Sequence, residues 1–123
     1  MWQKEYEAMD RAELKALQSK RLRETIERVY NNVAPYRAKM VEMGVKPEHI
    51  KSVDDLHLLP FTCKQDLRDN YPYGLFATPL SDVVRIHATS GTTGKQTVVG
   101  YTRDDLKVWG DVMARTFAAG GVT

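Results

Sequence analysis

The sequence predicts an α/β fold, helix-rich through residues 1–80 and passing over 81–123 into a pair of strands and one more helix. Three observations predict it. Apolar residues recur at helical spacing from Leu14 to Tyr30. Two β-branched runs, Val83 to Ala88 and Thr97 to Tyr101, flank a Gly/Thr-rich segment. Thr102 and Asp105 then have the spacing of a capping box ahead of a last apolar stripe. No internal repeat or low-complexity segment interrupts this order.

Taken along the chain, Asp10 caps the first long helix, with Glu13 at the capping-box position. Its apolar side is Leu14, Leu17, Leu22, Ile26, Val29 and Tyr30. Lys15, Lys20, Arg21, Arg23, Glu24, Glu27 and Arg28 fill the other side, and interleaved acids make that a solvated face rather than a nucleic-acid surface. An amphipathic helix so placed also offers a contact for a homodimer. Pro35 starts a second helix carrying Tyr36, Met40 and Met43, which Gly44 stops. Pro47 opens a short turn, Ser52 with Asp55 caps another around Leu56, and Pro60 ends it. Thr62 is expected to cap the next helix, with Gln65 as its box partner and Cys63 to about Asn70 as its span. Tyr71-Pro72-Tyr73-Gly74-Leu75-Phe76 is an aromatic turn that ties helices to strands, and Phe76 is the residue expected to support the following loop from behind. The last helix bears Leu106, Trp109, Val112, Met113, Thr116 and Phe117 on one side. Gly110 in its middle weakens it or lets it pack closely on the strands.

The segment Thr89, Ser90, Gly91, Thr92, Thr93, Gly94, Lys95 has the chemistry of a loop that closes around phosphate. Glycines take positive φ and let a ligand approach the amides, and consecutive N–H groups in such a turn make an anion-binding concavity. Hydroxyls on Thr89, Ser90, Thr92 and Thr93 rotate to suit phosphate oxygens, and Lys95 adds a point charge on a long stem. The Walker pattern is excluded. It needs Gly where Thr89 stands and Ser or Thr where Gln96 stands, and a helix beginning at the lysine.

The string TSGTTGK resembles the phosphate-binding signature of the adenylate-forming superfamily of acyl-CoA synthetases, luciferases and peptide-synthetase adenylation domains. With the longer context LPFTCKQDLRDNYPYGLFA (Leu59 to Ala77) followed by RIHATSGTTGKQTVVGYT (Arg85 to Thr102), essentially the whole chain is similar to the phenylacetate-CoA ligase family. Family members commonly have Pro at the position of Gln96 and Ser at that of Thr89; neither change removes a needed loop amide or hydroxyl. The resemblance implies that 81–123 begins an α/β nucleotide-binding subdomain and that Thr89 to Lys95 hold the ATP phosphates. It also implies Mg²⁺, a small aryl carboxylic acid activated as its acyl-adenylate, and coenzyme A as the acceptor. No catalytic residue is assigned in this stretch; Lys95 gives electrostatic support. The acid and adenine pockets, the Mg²⁺ carboxylate and the family's catalytic lysine would lie beyond Thr123. Ala118-Ala119-Gly120-Gly121-Val122-Thr123 reads as a helix stopped at glycine with an apolar element to follow, so the chain is expected to be the N-terminal portion of a longer enzyme, inactive alone. Two alternatives stay open: transfer to a carrier-protein thiol, and a non-catalytic phosphate-binding or dimerisation module.

Composition sets outer bounds. Eighteen basic and 16 acidic residues give a formal charge of +2 without a block of either sign, so nothing calls for a nucleic acid or an anionic membrane. No run has the length of a bilayer span, and the start lacks a secretion signal, which together with a lone cysteine predicts a cytoplasmic protein. Cys63 is expected to be a packed thiol rather than a nucleophile, since no His is near it in sequence. His87 is read as a structural strand residue, and His49 and His57 are too scattered to make a metal site with Cys63.

Overall fold

A computed structural model describes residues 1–91 and 94–122 of the chain. It begins with a one-turn helix α1 (Lys4–Glu7), held by the Glu7 carboxylate, which accepts the N–H groups of Trp2 and Gln3 at 2.8 Å each. The sequence reading placed no element here, because four residues are too few for a periodic signal.

Helix α2 (Arg11–Asn32) starts at the expected cap: the Asp10 carboxylate accepts the Ala12 N–H at 2.8 Å. Its far end is closed by Arg37, whose guanidinium donates to the carbonyls of Tyr30 and Asn31 at 3.1 and 3.3 Å, satisfying groups a helix C-terminus leaves open. Helix α3 (Ala34–Glu42) follows after Val33 with Pro35 in its first turn, and Gly44 leaves it at φ 69°. Two 3₁₀ turns, Pro47–His49 and Val53–Leu58, cross back over α2. The second carries the Ser52/Asp55 capping box, and its Val53 N–H donates to the buried Ser19 hydroxyl of α2 at 3.2 Å. Between them lies the core. Ile26, Met40, Val45 and Ile50 are buried, Met40 wholly so, with Leu22, Tyr30, Tyr36, Leu58 and Leu59 packed against them. Continuous burial of this kind stabilises by about 25 cal/mol per Å² of apolar surface removed from water.

Helix α4 (Lys64–Asp69) corrects the expected frame by one residue. Cys63 rather than Thr62 is its N-cap, and Asp66 rather than Gln65 closes the box: one Asp66 oxygen accepts the Cys63 N–H at 2.7 Å while the other pairs with the Lys39 ammonium at 2.6 Å. A carboxylate that gathers an N–H and an ammonium outcompetes the neutral Gln65 amide, which instead donates to Asp69 at 2.7 Å. As a result Cys63 is exposed, not packed.

The aromatic turn leads through a third 3₁₀ turn (Leu80–Asp82) into strands β1 (Val83–Ala88) and β2 (Val98–Thr102). They pair antiparallel with Ile86 opposite Gly100 and Ala88 opposite Val98, as a hairpin around the Gly/Thr-rich loop. Thr102 then caps helix α5 (Arg103–Ala119): its N–H donates to Asp105 Oδ2 at 2.8 Å and its hydroxyl receives the Asp105 N–H at 3.2 Å. The apolar side of α5 is as spaced in the sequence but largely bare, with Trp109, Val112, Met113 and Phe117 all exposed. A Cβ at Gly110 would touch nothing, so this glycine permits no close approach here. Among the described residues no helix is long and apolar enough to cross a membrane.

Candidate phosphate loop

The loop hangs between Ala88 and Val98 because its base is closed by hydroxyl and backbone bonds together. Thr89 N–H donates to the Thr97 carbonyl at 3.1 Å, Thr97 N–H donates to Thr89 Oγ1 at 3.1 Å, and the Thr97 hydroxyl donates to the same oxygen at 3.3 Å. Thr97 is buried by these contacts. Thr89 therefore has its amide and its acceptor capacity committed, and keeps one hydroxyl proton for a ligand.

Beyond the base, the Gly94 N–H donates to the Gly91 carbonyl at 3.1 Å; Thr92 and Thr93, expected to add hydroxyls, lie outside the described residues. Both glycines occupy left-handed backbone, at φ 68° and 125°. Gly91 has a second reason to be glycine: a Cβ there would sit 2.8 Å from Gln96 Cγ and 3.1 Å from the Gly94 carbonyl. Among the described residues, the amides of Ser90, Gly91 and Lys95 donate to nothing. Ser90, Gly94 and Lys95 are exposed, so hydroxyl, backbone donors and ammonium face solvent together. Such a set suits a polyanion, with roughly doubled strength for each bond to a charged acceptor. As expected, no helix begins at Lys95; β2 follows it.

Two supports lie beneath the loop on opposite faces of the hairpin. On one, Phe76 fills the space above Gly100, where a Cβ would come within 2.5 Å of the Phe76 ring; Tyr73 lies 5.2 Å from that ring. Phe76 thus packs against β2 at Gly100. On the other, His87 meets Tyr101 and Trp109 at 5.1 and 5.6 Å, a contact the sequence reading missed because Trp109 comes from α5. His87 lies within β1, half-buried, with its ring against these two. His49, His57 and Cys63 do not converge; among the described residues no group of three or more His, Cys, Asp and Glu comes together.

A concavity of about 780 Å³ lies elsewhere. It is lined by Arg28, Phe76, Thr78, Asp82, Arg103 and Asp105 among others, and among the described residues includes none of Thr89, Ser90, Gly91, Gly94 and Lys95. A loop that projects from a hairpin makes little cavity by itself, so its candidacy rests on its donors rather than on a hollow.

No protein-family model matches the chain. Curated proteins do. It is 52% identical over 121 residues to a phenylacetate-coenzyme A ligase of Thermus thermophilus, covering 98% of this chain and 27% of that protein. Ligases of the same name from Escherichia coli and Pseudomonas putida are 52% and 50% identical, over 89% and 92% of the chain and 25% and 26% of their own lengths. The chain thus spans about a quarter of the length of the curated relatives it matches. Among solved structures it superposes with a TM-score of 0.80 and 28% identity on 2-hydroxyisobutyryl-CoA ligase in the postadenylation state with 2-HIB-AMP, covering 93% of this chain and 25% of that one. The same ligase with 2-HIB-AMP and CoA in its thioesterification state gives a TM-score of 0.71 at 32% identity, over 79% and 22% of the two chains. The match is to the N-terminal part of these adenylate-forming enzymes, and the alignment extends well beyond TSGTTGK, over 98% of the chain.

Proposed function

We propose that this chain, homologous along almost its entire length to phenylacetate-coenzyme A ligases, is the ATP-gripping part of an AMP-forming ligase that activates phenylacetate or a related aryl acid and passes it to coenzyme A. The observation that carries the reading is the 52% identity over 98% of the chain, which includes a loop built with the donors a triphosphate needs. The relatives superposed on it hold an acyl-AMP and CoA.

In this reading residues 1–80 are a helical segment that carries the hairpin, and residues 81–123 begin the nucleotide-binding subdomain. The Ser90 and Gly91 amides, the Lys95 amide and ammonium, and the hydroxyls of Thr89, Ser90, Thr92 and Thr93 surround the β and γ phosphates. Gly94 gives the backbone its turn. By offsetting charge on pyrophosphate they make it a better leaving group when the substrate carboxylate attacks the α-phosphorus. Mg²⁺ would neutralise the phosphates further, and the carboxylate that would hold it is expected beyond Thr123. Coenzyme A then displaces AMP from the acyl-adenylate, a step for which this chain supplies no assigned group.

The test is an assay of the full-length ligase with phenylacetate, ATP and CoA, following pyrophosphate and AMP. Lys95→Ala is expected to slow adenylation by about 10²-fold, as removal of a preorganised charge-stabilising donor does elsewhere. The 123-residue chain alone is expected to release no pyrophosphate. An unchanged rate in Lys95→Ala would remove the assigned role.

A further inference from the structure

A loop that closes on a ligand needs fixed ends. β1 and β2 pair with Arg85 opposite Tyr101 and His87 opposite Val99, which puts His87 and Tyr101 on one face of the hairpin as diagonal neighbours. Their rings meet edge to face at 5.1 Å. Trp109, reaching over from α5, stacks on Tyr101 at 5.3 Å with 26° between the planes and meets His87 edge-on at 5.6 Å and 69°. His87 stands just before Thr89, and Tyr101 follows Thr97 on the returning strand. Three rings thus join both strands to α5 beside the bonds that close the loop.

We propose that the His87–Tyr101–Trp109 stack is the positioning element of the phosphate loop: it locks both strand ends against α5 so that Thr89 and Thr97 keep the loop base shut. The ligand assigned to the loop rests on the function proposed above; the positioning rests on the ring geometry. Trp109 is the residue to change, because it is 40% exposed and its removal empties no buried site. Its ring contacts, not its bulk, are what the proposal invokes.

The experiment uses the ¹⁵N-labelled chain with Trp109→Leu, which keeps apolar bulk, and Trp109→Phe, which keeps a ring. Amide exchange at Thr89 and Thr97 is expected to quicken about tenfold in the Leu variant and to stay near wild type in the Phe variant, while amides around Met40 are unchanged in both. Equal exchange at Thr89 and Thr97 in wild type and Trp109→Leu overturns the proposal, as does acceleration spread evenly over the Met40 core or a Phe variant as fast as the Leu variant. Inorganic pyrophosphate is then added. Shifts at the Ser90, Gly91 and Lys95 amides are expected, with about tenfold weaker affinity in Trp109→Leu. Their absence from wild type would overturn the phosphate assignment alone, since the exchange result decides the stack without any ligand.

Discussion

The region around Met40 and the region from Val83 to Ala119 treat their apolar residues in opposite ways. In the first, α2, α3 and two 3₁₀ turns enclose Ile26, Met40, Val45 and Ile50 until little of them is left to water. Its edges are also pinned: Tyr36 Oη donates to the Pro60 carbonyl at 3.1 Å, Arg23 to the Lys51 carbonyl at 2.6 Å, and Lys39 to Asp66. In the second, β1, β2 and α5 have equally regular patterns, yet Val84, Ile86, Val112, Met113 and Phe117 stand between 41% and 55% exposed. The difference teaches that local pattern decides where an element forms, while burial depends on what comes to lie against it. Among the described residues the first region is enclosed and the second stands largely open.

Substitutions can break or sharpen that contrast. The largest effect is expected from Met40→Ala, which empties a fully buried site and should cost about 2–5 kcal/mol in chemical denaturation. A cost as small as that of a surface change would show that the Met40 region is no tighter than the hairpin. Next, Gly100→Ala drives a methyl into the Phe76 ring and should cost about 1–3 kcal/mol by the same measurement, since Gly100 is a close-packed point in an otherwise open region.

Asp66→Asn should act through pH. The Lys39 ammonium, followed by the Cys63 N–H, holds the Asp66 carboxyl down to about 2 from an ordinary 3.8. A carboxylate lowered in the folded state stabilises it at every pH above the ordinary value, and that contribution fades as pH falls through about 2. Wild type should therefore melt above Asp66→Asn at neutral pH, with the two melting curves converging in acid. Lys39 is a third exposed, so solvent screening keeps the gap smaller than for a buried pair. The smallest effect is expected at Phe117→Ser, within about 0.5 kcal/mol, because the ring already meets water.

Much of this was legible in the sequence where the cause is local. The Asp10 cap, the Ser52/Asp55 and Thr102/Asp105 boxes, the Gly44 stop and both ends of β1 depend on residues within a turn of one another. The frame of α4 was not legible, since what recruits Asp66 is Lys39, 27 positions away. Nor was the exposure of Cys63, which follows from that frame, or the openness around Gly110. In the loop, composition pointed to Thr89 through Lys95, but the commitment of the Thr89 amide to Thr97 needed the hairpin register. Thr92 and Thr93, expected to contribute hydroxyls, lie outside the described residues.

The paired threonines at 89 and 97 make a narrow neck to the loop. Whatever rearrangement a ligand drives among the residues above that neck is insulated from the strands below, because twisting must first pull the threonine hydroxyls and amides away from one another. A neck of this kind sets the length and the anchoring of the loop from two hydroxyl-bearing positions, so side chains above it can be exchanged without disturbing the strand pairing below.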